Sequence, residues 1–145
     1  LVDLVDPDQE FSVAQYLENR PDDRLLAVLP FSFDYGFSQL STAFSVGASV
    51  VLMDYLFPRD IVALMARERV TGLAGVPPLW SQLADLPWPA EAVEHLRYIT
   101  NSGGAMPGAT LAKLRAAMPR TRRRAPSAPV EATPPPGPAS RALVK

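Results

Sequence analysis

Short apolar runs alternate with helix-forming segments along most of this 145-residue chain. The runs Leu25–Pro30 and Ala48–Asp54 are typical of strands buried on both faces, and shorter runs follow at Leu73–Val76 and Tyr98–Asn101. Strands that alternate with helices through short connections predict a mostly parallel sheet with helices packed on it. The predicted fold class is therefore α/β.

Helical spacing of apolar residues fills the intervals between these runs. A further helix is predicted over Ser12–Asn19, with Ser12 as its N-cap, inside a polar lead-in of residues 1–24. The other predicted helices are Phe37–Val46, Pro58–Val70, Leu79 to about Ala84, and Pro107 to about Met118.

Three segments follow predicted strands and are the candidates for a functional site. They are Phe31–Gly36, Val76–Trp80 and Ser102–Pro107. Because the strands are expected to be parallel, their carboxyl ends meet at one edge of the sheet. Ligands of open α/β sheets bind at that edge. We therefore expect the three segments to lie together there.

The segment Ser102–Pro107 contains two adjacent glycines. Glycine lets the backbone approach a flat ligand or adopt positive φ angles, and Pro107 begins a helix whose free N–H groups favour an anion. A plain strand-to-helix turn explains the same spacing and is the more frequent outcome. The patterns of a P-loop and of a G-x-G-x-x-G dinucleotide site are both absent from the sequence.

Aromatic residues accompany the other two segments. Asp34 stands between Phe33 and Tyr35, where it could line a pocket, but an Asp at a helix start more often caps the helix. We therefore favour capping for Asp34. The Pro77-Pro78 pair with Trp80 predicts a rigid turn with a buried aromatic rather than a pocket wall.

Composition excludes several classes of protein. The chain has no cysteine, so it has no disulfide scaffold, thiolate metal site or cysteine nucleophile, and a reducing compartment, the cytoplasm, is expected. His95 is the only histidine and lacks patterned partners for a triad or a metal site, which favours a surface or helix-end role. No apolar run approaches the roughly 18 residues of a membrane span.

The composition changes abruptly at Pro119. Residues 1–119 contain eight Lys and Arg against 14 Asp and Glu, whereas residues 120–145 contain six against one, six of the 16 prolines and no aromatic residue. Such a sequence does not build a core, so residues 120–145 are predicted to be a disordered tail. We expect no nucleic-acid site at its basic run Arg120–Arg124, because no aromatic side chain interleaves the arginines.

Three stretches in register resemble the AMP-forming acyl-CoA synthetases and ligases: LLAVLPFSFDYGFSQLSTAFSVGASVVL, PRDIVALMARERVTGLAGVPPLWSQLA and YITNSGGAMP. The resemblance covers about residues 11–119 and is closest to ligases associated with exosortase A systems. It implies that residues 25–119 are a partial AMP-dependent synthetase/ligase domain, a piece of the large N-terminal domain of such enzymes.

That family joins a small-molecule carboxylate to ATP as an acyl adenylate, releases pyrophosphate, and passes the acyl group to CoA or another thiol. ATP, Mg²⁺ and CoA are the cofactors of the parent family. By matching position, the resemblance implies an acyl-pocket set and a nucleotide-facing set, namely Phe33, Asp34, Tyr35 and Gly36, and Ser102, Gly103, Gly104 and Ala105.

The resemblance is incomplete in ways that affect activity. The phosphate loop with its Lys, the Tyr-Gly-x-Thr-Glu segment and the C-terminal domain with its catalytic Lys are not found in this sequence. Relatives often carry a His near Ser32 and Asp34. We therefore expect this chain to bind ATP, Mg²⁺ and CoA poorly, to contain no catalytic residue and to be inactive alone.

Two alternatives remain open. Asp34 resembles the Asp that binds the amino group in amino-acid adenylation domains, so the chain could be a piece of one. A non-catalytic α/β binding module with a basic tail is the other alternative. The tail itself fits a frameshift in a GC-rich gene, because Arg, Pro, Ala, Ser and Gly supply 19 of its 26 residues.

Overall fold

The computed structural model describes residues 13–124. They contain a five-stranded sheet in the order β2-β1-β3-β4-β5, in which every neighbouring pair is parallel. The predicted α/β fold with a parallel sheet is confirmed. The strands are β1 (Arg24–Ala27), β2 (Ser49–Leu52), β3 (Gly72–Gly75), β4 (Tyr98–Asn101) and β5 (Arg122–Arg124).

Helices connect successive strands, as the alternating pattern predicts. Residues 13–17 are also helical, within the first predicted helix, whereas its proposed N-cap Ser12 lies outside the described residues. A short helix before β4 was not predicted. The helices that follow β1 are α1 (Asp34–Ser45), α2 (Pro58–Glu68), α3 (Pro77–Ala84), α4 (Ala90–Val93) and α5 (Gly108–Ala117).

Prolines and local turns set where the helices begin. Both α2 and α3 have Pro in their first turn, where the missing N–H would be unpaired in any case. The carboxylate of Asp60 accepts the backbone N–H of Phe57 at 3.2 Å and so satisfies a free donor before α2. Arg69, at φ 53°, ends α2 in the left-handed region.

The central strands β1, β3 and β4 are largely buried on both faces, to which their successive side chains point alternately. The prediction that β2 is also buried on both faces is wrong, because β2 is an edge strand among the described residues and its side chains are half-buried or exposed. Leu25 packs with Ala43 and Tyr98 on the face that α1 covers. Leu26 belongs to the larger cluster on the other face, where it pairs in register with Leu73, which in turn pairs with Ile99. Leu26, Leu73 and Ile99 are each at most 2% exposed. This ladder of apolar side chains is the centre of the core.

The amino edge of the sheet is held by a buried carboxylate. Asp23, 1% exposed, accepts hydrogen bonds from Arg97, from the Thr71 hydroxyl at 2.7 Å and from the Arg20 backbone at 2.8 Å. Burial alone would raise the pKa of Asp23, but these donors outweigh burial and hold the pKa below its ordinary value. The sequence pattern around Asp23 indicates only a turn.

Two expectations about boundaries require correction. The predicted disordered tail began at residue 120, but Arg122–Arg124 form β5 and pair in parallel with β4 from Tyr98 to Thr100. Ladder hydrogen bonds join backbone groups and do not depend on an apolar side chain, which is why composition misplaced this boundary. Helix α1 begins at Asp34, three residues earlier than predicted. Within residues 13–124, no helix is long and apolar enough to cross a membrane.

Candidate functional site

The three candidate segments follow β1, β3 and β4, which are neighbours in the sheet. Since these strands are parallel, the segments leave the sheet at the same edge, as predicted. The N–H of Ser102 donates to the Gly75 carbonyl at 3.0 Å, which continues the pairing of β3 and β4 into the site. This edge is the place where α/β sheets bind ligands.

Ser102–Ala105, called the glycine turn below, leaves the end of β4. Gly103 and Gly104 have φ angles of 81° and 148°, which side chains disfavour, so both positions require glycine. A Cβ atom placed on Gly103 would lie 3.7 Å from Val76 Cγ1, and one placed on Gly104 would lie 3.6 Å from Pro77 Cγ. The turn therefore rests on the residues that lead into α3.

The backbone donors of the glycine turn are free. Among the described residues, the N–H groups of Gly103, Gly104 and Ala105 form no hydrogen bond, and these three residues are exposed. The Gly104 carbonyl, in contrast, accepts the Asn101 side-chain amide at 2.7 Å. Successive free N–H groups in an exposed turn suit a polar or anionic ligand.

Phe33–Gly36, called the aromatic segment below, spans the start of α1. A Cβ atom on Gly36 would lie 2.3 Å from the Pro30 carbonyl oxygen, so this helix turn can approach the segment that follows β1 only because residue 36 is glycine. The Tyr35 hydroxyl donates to Thr100 Oγ1 at 2.6 Å, and burial raises the pKa of Tyr35. This bond joins the aromatic segment to the strand that leads into the glycine turn.

The prediction that Asp34 caps α1 is wrong. Phe33, with extended backbone angles, is the N-cap, and no side chain caps this helix. Asp34 lies one position later, in the first turn, where the helix dipole stabilises its negative charge without a capping bond. Its carboxylate is exposed and has no hydrogen-bond partner among residues 13–124. The group is therefore accessible at the rim of the site.

A groove of about 350 Å³ lies beside the aromatic segment, along the carboxyl ends of β1 and β2. Its walls are Ala27–Phe31 and Leu52–Asp54, and Phe31 and Leu52 are exposed. The size is within the range of small-molecule sites. In the part of the chain that the structure describes, no cluster of three or more His, Asp or Glu side chains could hold a metal ion.

Comparison with protein families identifies the chain. The model of the AMP-binding enzyme family matches residues 8–126, which include the whole sheet and all three edge segments. The chain belongs to the AMP-binding enzyme family. The match extends beyond the domain boundaries of 25 and 119 that the sequence suggested, and it includes the observed β5.

Relatives of this chain in the family are much longer. A plipastatin synthase subunit of Bacillus subtilis (strain 168) is 33% identical over 102 residues, which are 68% of this chain and 3% of that protein. The structure of CmiS6 superposes with a TM-score of 0.73 at 28% identity, covering 81% of this chain and 29% of that one. The structure of ATP-bound MatB from Rhodopseudomonas palustris superposes with a TM-score of 0.72 at 24% identity, covering 82% of this chain and 24% of that one. The chain thus spans less than a third of these relatives.

Sequence reasoning missed two polar residues of the AMP-binding domain. Thr100 and Asn101 end β4, and their side chains bond Tyr35 and Gly104 respectively. The local pattern indicates only a strand for both, although polar residues at the end of a buried strand are a signal of a functional edge. Trp80 is fully buried, as predicted, but the predicted rigid turn is wrong, because Pro77 and Pro78 form the first turn of α3. His95 precedes β4, at the opposite end of that strand from the glycine turn, and its Nε2 accepts the Arg69 Nε–H at 3.2 Å.

Proposed function

We propose that this chain is part of an AMP-forming acyl-CoA ligase, which activates a carboxylate with ATP as an acyl adenylate and passes the acyl group to CoA. The observation that carries the proposal is the joining of the aromatic segment to β4 through Tyr35 and Thr100. That bond places a partly apolar segment beside a turn with free N–H groups. One edge of the sheet can then hold an acyl chain and a nucleotide together.

In this proposal the glycine turn faces the adenine and the aromatic segment lines the acyl pocket. The exposed turn can lie flat against a ring because Gly103 and Gly104 carry no side chain. Phe33, 40% exposed, offers an apolar surface to an acyl chain. The phosphates need Mg²⁺ and a Lys, which stabilise negative charge at the α-phosphate. In this proposal residues 13–124 provide the binding surfaces, but they do not provide the Lys and the Mg²⁺ site at the α-phosphate. The acyl transfer therefore requires further protein.

We propose that the aromatic segment determines which acyl group the ligase accepts. We extend the proposal to ligases of the kind associated with exosortase A systems, with a cytoplasmic location, on the resemblance of the aromatic segment and the YITNSGGAMP stretch. The groove beside Phe31 is apolar along its Ala27–Leu29 wall and would accept an alkyl chain.

Amino-acid adenylation is the second candidate, and the exposed carboxylate of Asp34 favours it. An unpaired carboxylate at the rim of the site can form a charged hydrogen bond with an ammonium group. The likeness to the plipastatin synthase chain supports this candidate as well. The substrate would then be an amino acid rather than a fatty acyl chain.

Titration of the ¹⁵N-labelled chain with AMP tests the nucleotide part of the proposal. AMP should shift the amide resonances of Gly103, Gly104 and Ala105 at lower concentrations than it shifts those of the amino edge. GMP should cause smaller shifts. The variant Gly104→Val should lose these changes, because φ 148° strains a branched side chain. Gly108→Ala is the matched control, since a Cβ atom there meets nothing within 4 Å. Equal perturbation in both variants contradicts the proposal.

Two non-hydrolysable adenylate mimics separate the acyl from the aminoacyl hypothesis. A fatty-acyl sulfamoyl adenosine should shift the aromatic segment in the wild type and in Asp34→Asn alike. An aminoacyl sulfamoyl adenosine should bind the wild type more tightly than Asp34→Asn only if Asp34 receives an ammonium group. ATP–pyrophosphate exchange by the 145-residue chain should stay at background with either acid. Measurable exchange would contradict the proposal that the reaction requires further protein.

A further inference from the structure

The side chain of Asn101 holds the carbonyl of Gly104. Its Nδ2 group donates to that oxygen at 2.7 Å across three residues. Its Oδ1 atom is buried and has no hydrogen-bond partner in the described part of the chain. Asn101 is the last residue of β4, so this amide is attached to a strand whose register with β3 is defined by backbone pairing.

Within residues 13–124, no other polar contact holds the tip of the glycine turn. Ser102 is tied to Gly75, but the N–H groups of Gly103, Gly104 and Ala105 are free within residues 13–124. Even a Cβ atom added at Gly103 or Gly104 would reach Val76 or Pro77 only at ordinary van der Waals distance, so tight packing does not hold the turn either. Two adjacent glycines have the largest backbone freedom of any residue pair. A tether at Gly104 therefore removes freedom that a ligand would otherwise have to remove on binding.

We propose that Asn101 is a positioning residue for the glycine turn, which orients the free N–H groups of Gly103 to Ala105 for the nucleotide. This inference rests on the proposed function for its ligand, but the ordering of the turn is a property of the free chain. Asn101 acts through the Gly104 carbonyl and does not itself contact the nucleotide. Losing one net hydrogen bond of this kind should weaken AMP binding by about three- to tenfold.

The variant Asn101→Asp gives a readout that a purely structural role would not produce. At neutral pH its carboxylate has no proton to donate and faces the Gly104 oxygen, so the turn should be released. Protonation at low pH creates an O–H donor at the same position and should restore the bond. Order in the turn should therefore rise as the pH falls in Asn101→Asp, and only there.

The experiment measures ¹⁵N relaxation of Gly103, Gly104 and Ala105 in the full 145-residue chain, free and with AMP, between pH 7 and pH 4. The wild type should be ordered throughout, Asn101→Ala mobile throughout, and Asn101→Asp mobile at pH 7 and more ordered at pH 4, where about half of its carboxyl is protonated. Gln82→Glu adds a charge on the exposed side of α3 and serves as the matched control. Asp23 keeps its charge over this range because its pKa is lowered.

The two proposals fail in different ways. If the turn is equally ordered in the wild type and Asn101→Ala, or if the order in Asn101→Asp does not change with pH, the positioning role of Asn101 is refuted. If order follows the pattern above but AMP perturbs no resonance of the turn, Asn101 positions the turn and the nucleotide assignment fails. A variant that loses amide dispersion across the whole spectrum is replaced by Asn101→Ser, whose shorter hydroxyl should leave the turn mobile.

Discussion

The hydroxyl of Tyr35 donates to Oγ1 of Thr100 at 2.6 Å, which ties α1 to the fourth strand of the sheet. Thr100 is 2% exposed, and burial raises the pKa of Tyr35, so both hydroxyls are shielded from water. A hydrogen bond shielded in this way is costly to break, because neither partner can turn to solvent. It keeps the aromatic segment and the glycine turn at a constant separation.

Removing the Tyr35 hydroxyl should destabilise the fold. In Tyr35→Phe the buried Thr100 hydroxyl loses its partner, and we expect the free energy of unfolding to fall by about 1–3 kcal/mol. Urea unfolding followed by circular dichroism measures it. Tyr55→Phe is the matched control, since the Tyr55 hydroxyl forms no hydrogen bond among the described residues.

Thr100→Val completes a double-mutant cycle with Tyr35→Phe. Because the two hydroxyls bond each other, the double variant should be more stable than the sum of the single losses predicts, by about 1 kcal/mol. Additive losses would show that the bond contributes no coupling between α1 and β4.

Close approach of α1 to Pro30, in the segment that follows β1, depends on Gly36. Gly36→Ala would place a Cβ atom 2.3 Å from a backbone oxygen that cannot rotate away, so α1 must shift. We expect a loss of about 2–4 kcal/mol, in the range of large effects caused by overpacking. Gly108→Ala, in open space and at a helix start, should change stability by less than about 1 kcal/mol. Thermal unfolding of the two variants compares them directly, and equal midpoints would contradict the contact.

Periodicity predicted the strands and the edge of the site well, because alternation and buried runs report directly on a parallel sheet. The strand Tyr98–Asn101 has the bounds that the sequence predicted, and α5 differs from its prediction by one residue at each end. The order β2-β1-β3-β4-β5 was not predictable, since it depends on which apolar faces fit together. Local patterns carry no information on that fit.

Contacts between distant residues account for what the sequence did not reveal. Asp23 and Arg97 are 74 positions apart, and no local pattern marks either of them as a partner. The start of α1 was misplaced because the contact that orders its first turn, Gly36 against Pro30, involves a glycine that normally signals a loop. β5 was missed because three arginines have no strand pattern, and its pairing with β4 is made by the backbone.

Acid should weaken the fold through Asp23. Its pKa lies below the ordinary value of 3.8 in the folded chain, so its ionised form stabilises the fold at any pH well above 3.8. That contribution is lost as the pH falls below 3.8 and through the lower folded pKa. Asp23→Asn should lose about 3 kcal/mol at pH 7, because Arg97 and Thr71 lose their charged partner.

The exposed neighbour gives the control for this carboxylate. Asp22→Asn should stay within about 0.5 kcal/mol of the wild type, since Asp22 is exposed. Urea unfolding from pH 7 to pH 3 should show the difference between wild type and Asp23→Asn shrinking below pH 3.8. A difference that stays constant over that range would mean that the charge of Asp23 contributes nothing.

Exposed apolar side chains on the outer side of the sheet should promote self-association of the chain. Phe44 is 66% exposed on α1, and Leu56 is 87% exposed in the loop before α2. Phe44 precedes β2 in the chain and Leu56 follows it, and β2 is an edge strand among the residues described, whose outer backbone groups are unpaired there. The free energy falls when a second molecule covers exposed apolar side chains of this kind and removes them from water.

Phe44→Ser combined with Leu56→Ser should therefore raise the concentration at which light scattering begins by several-fold, with little change in the free energy of unfolding. The unfolding energy is expected to stay constant because an exposed side chain loses few packing contacts when it is shortened. Ala109→Ser, an exposed change on α5 away from β2, is the control for added polarity alone. If the control suppresses scattering as strongly as the double variant, the patch beside β2 is not the surface that associates.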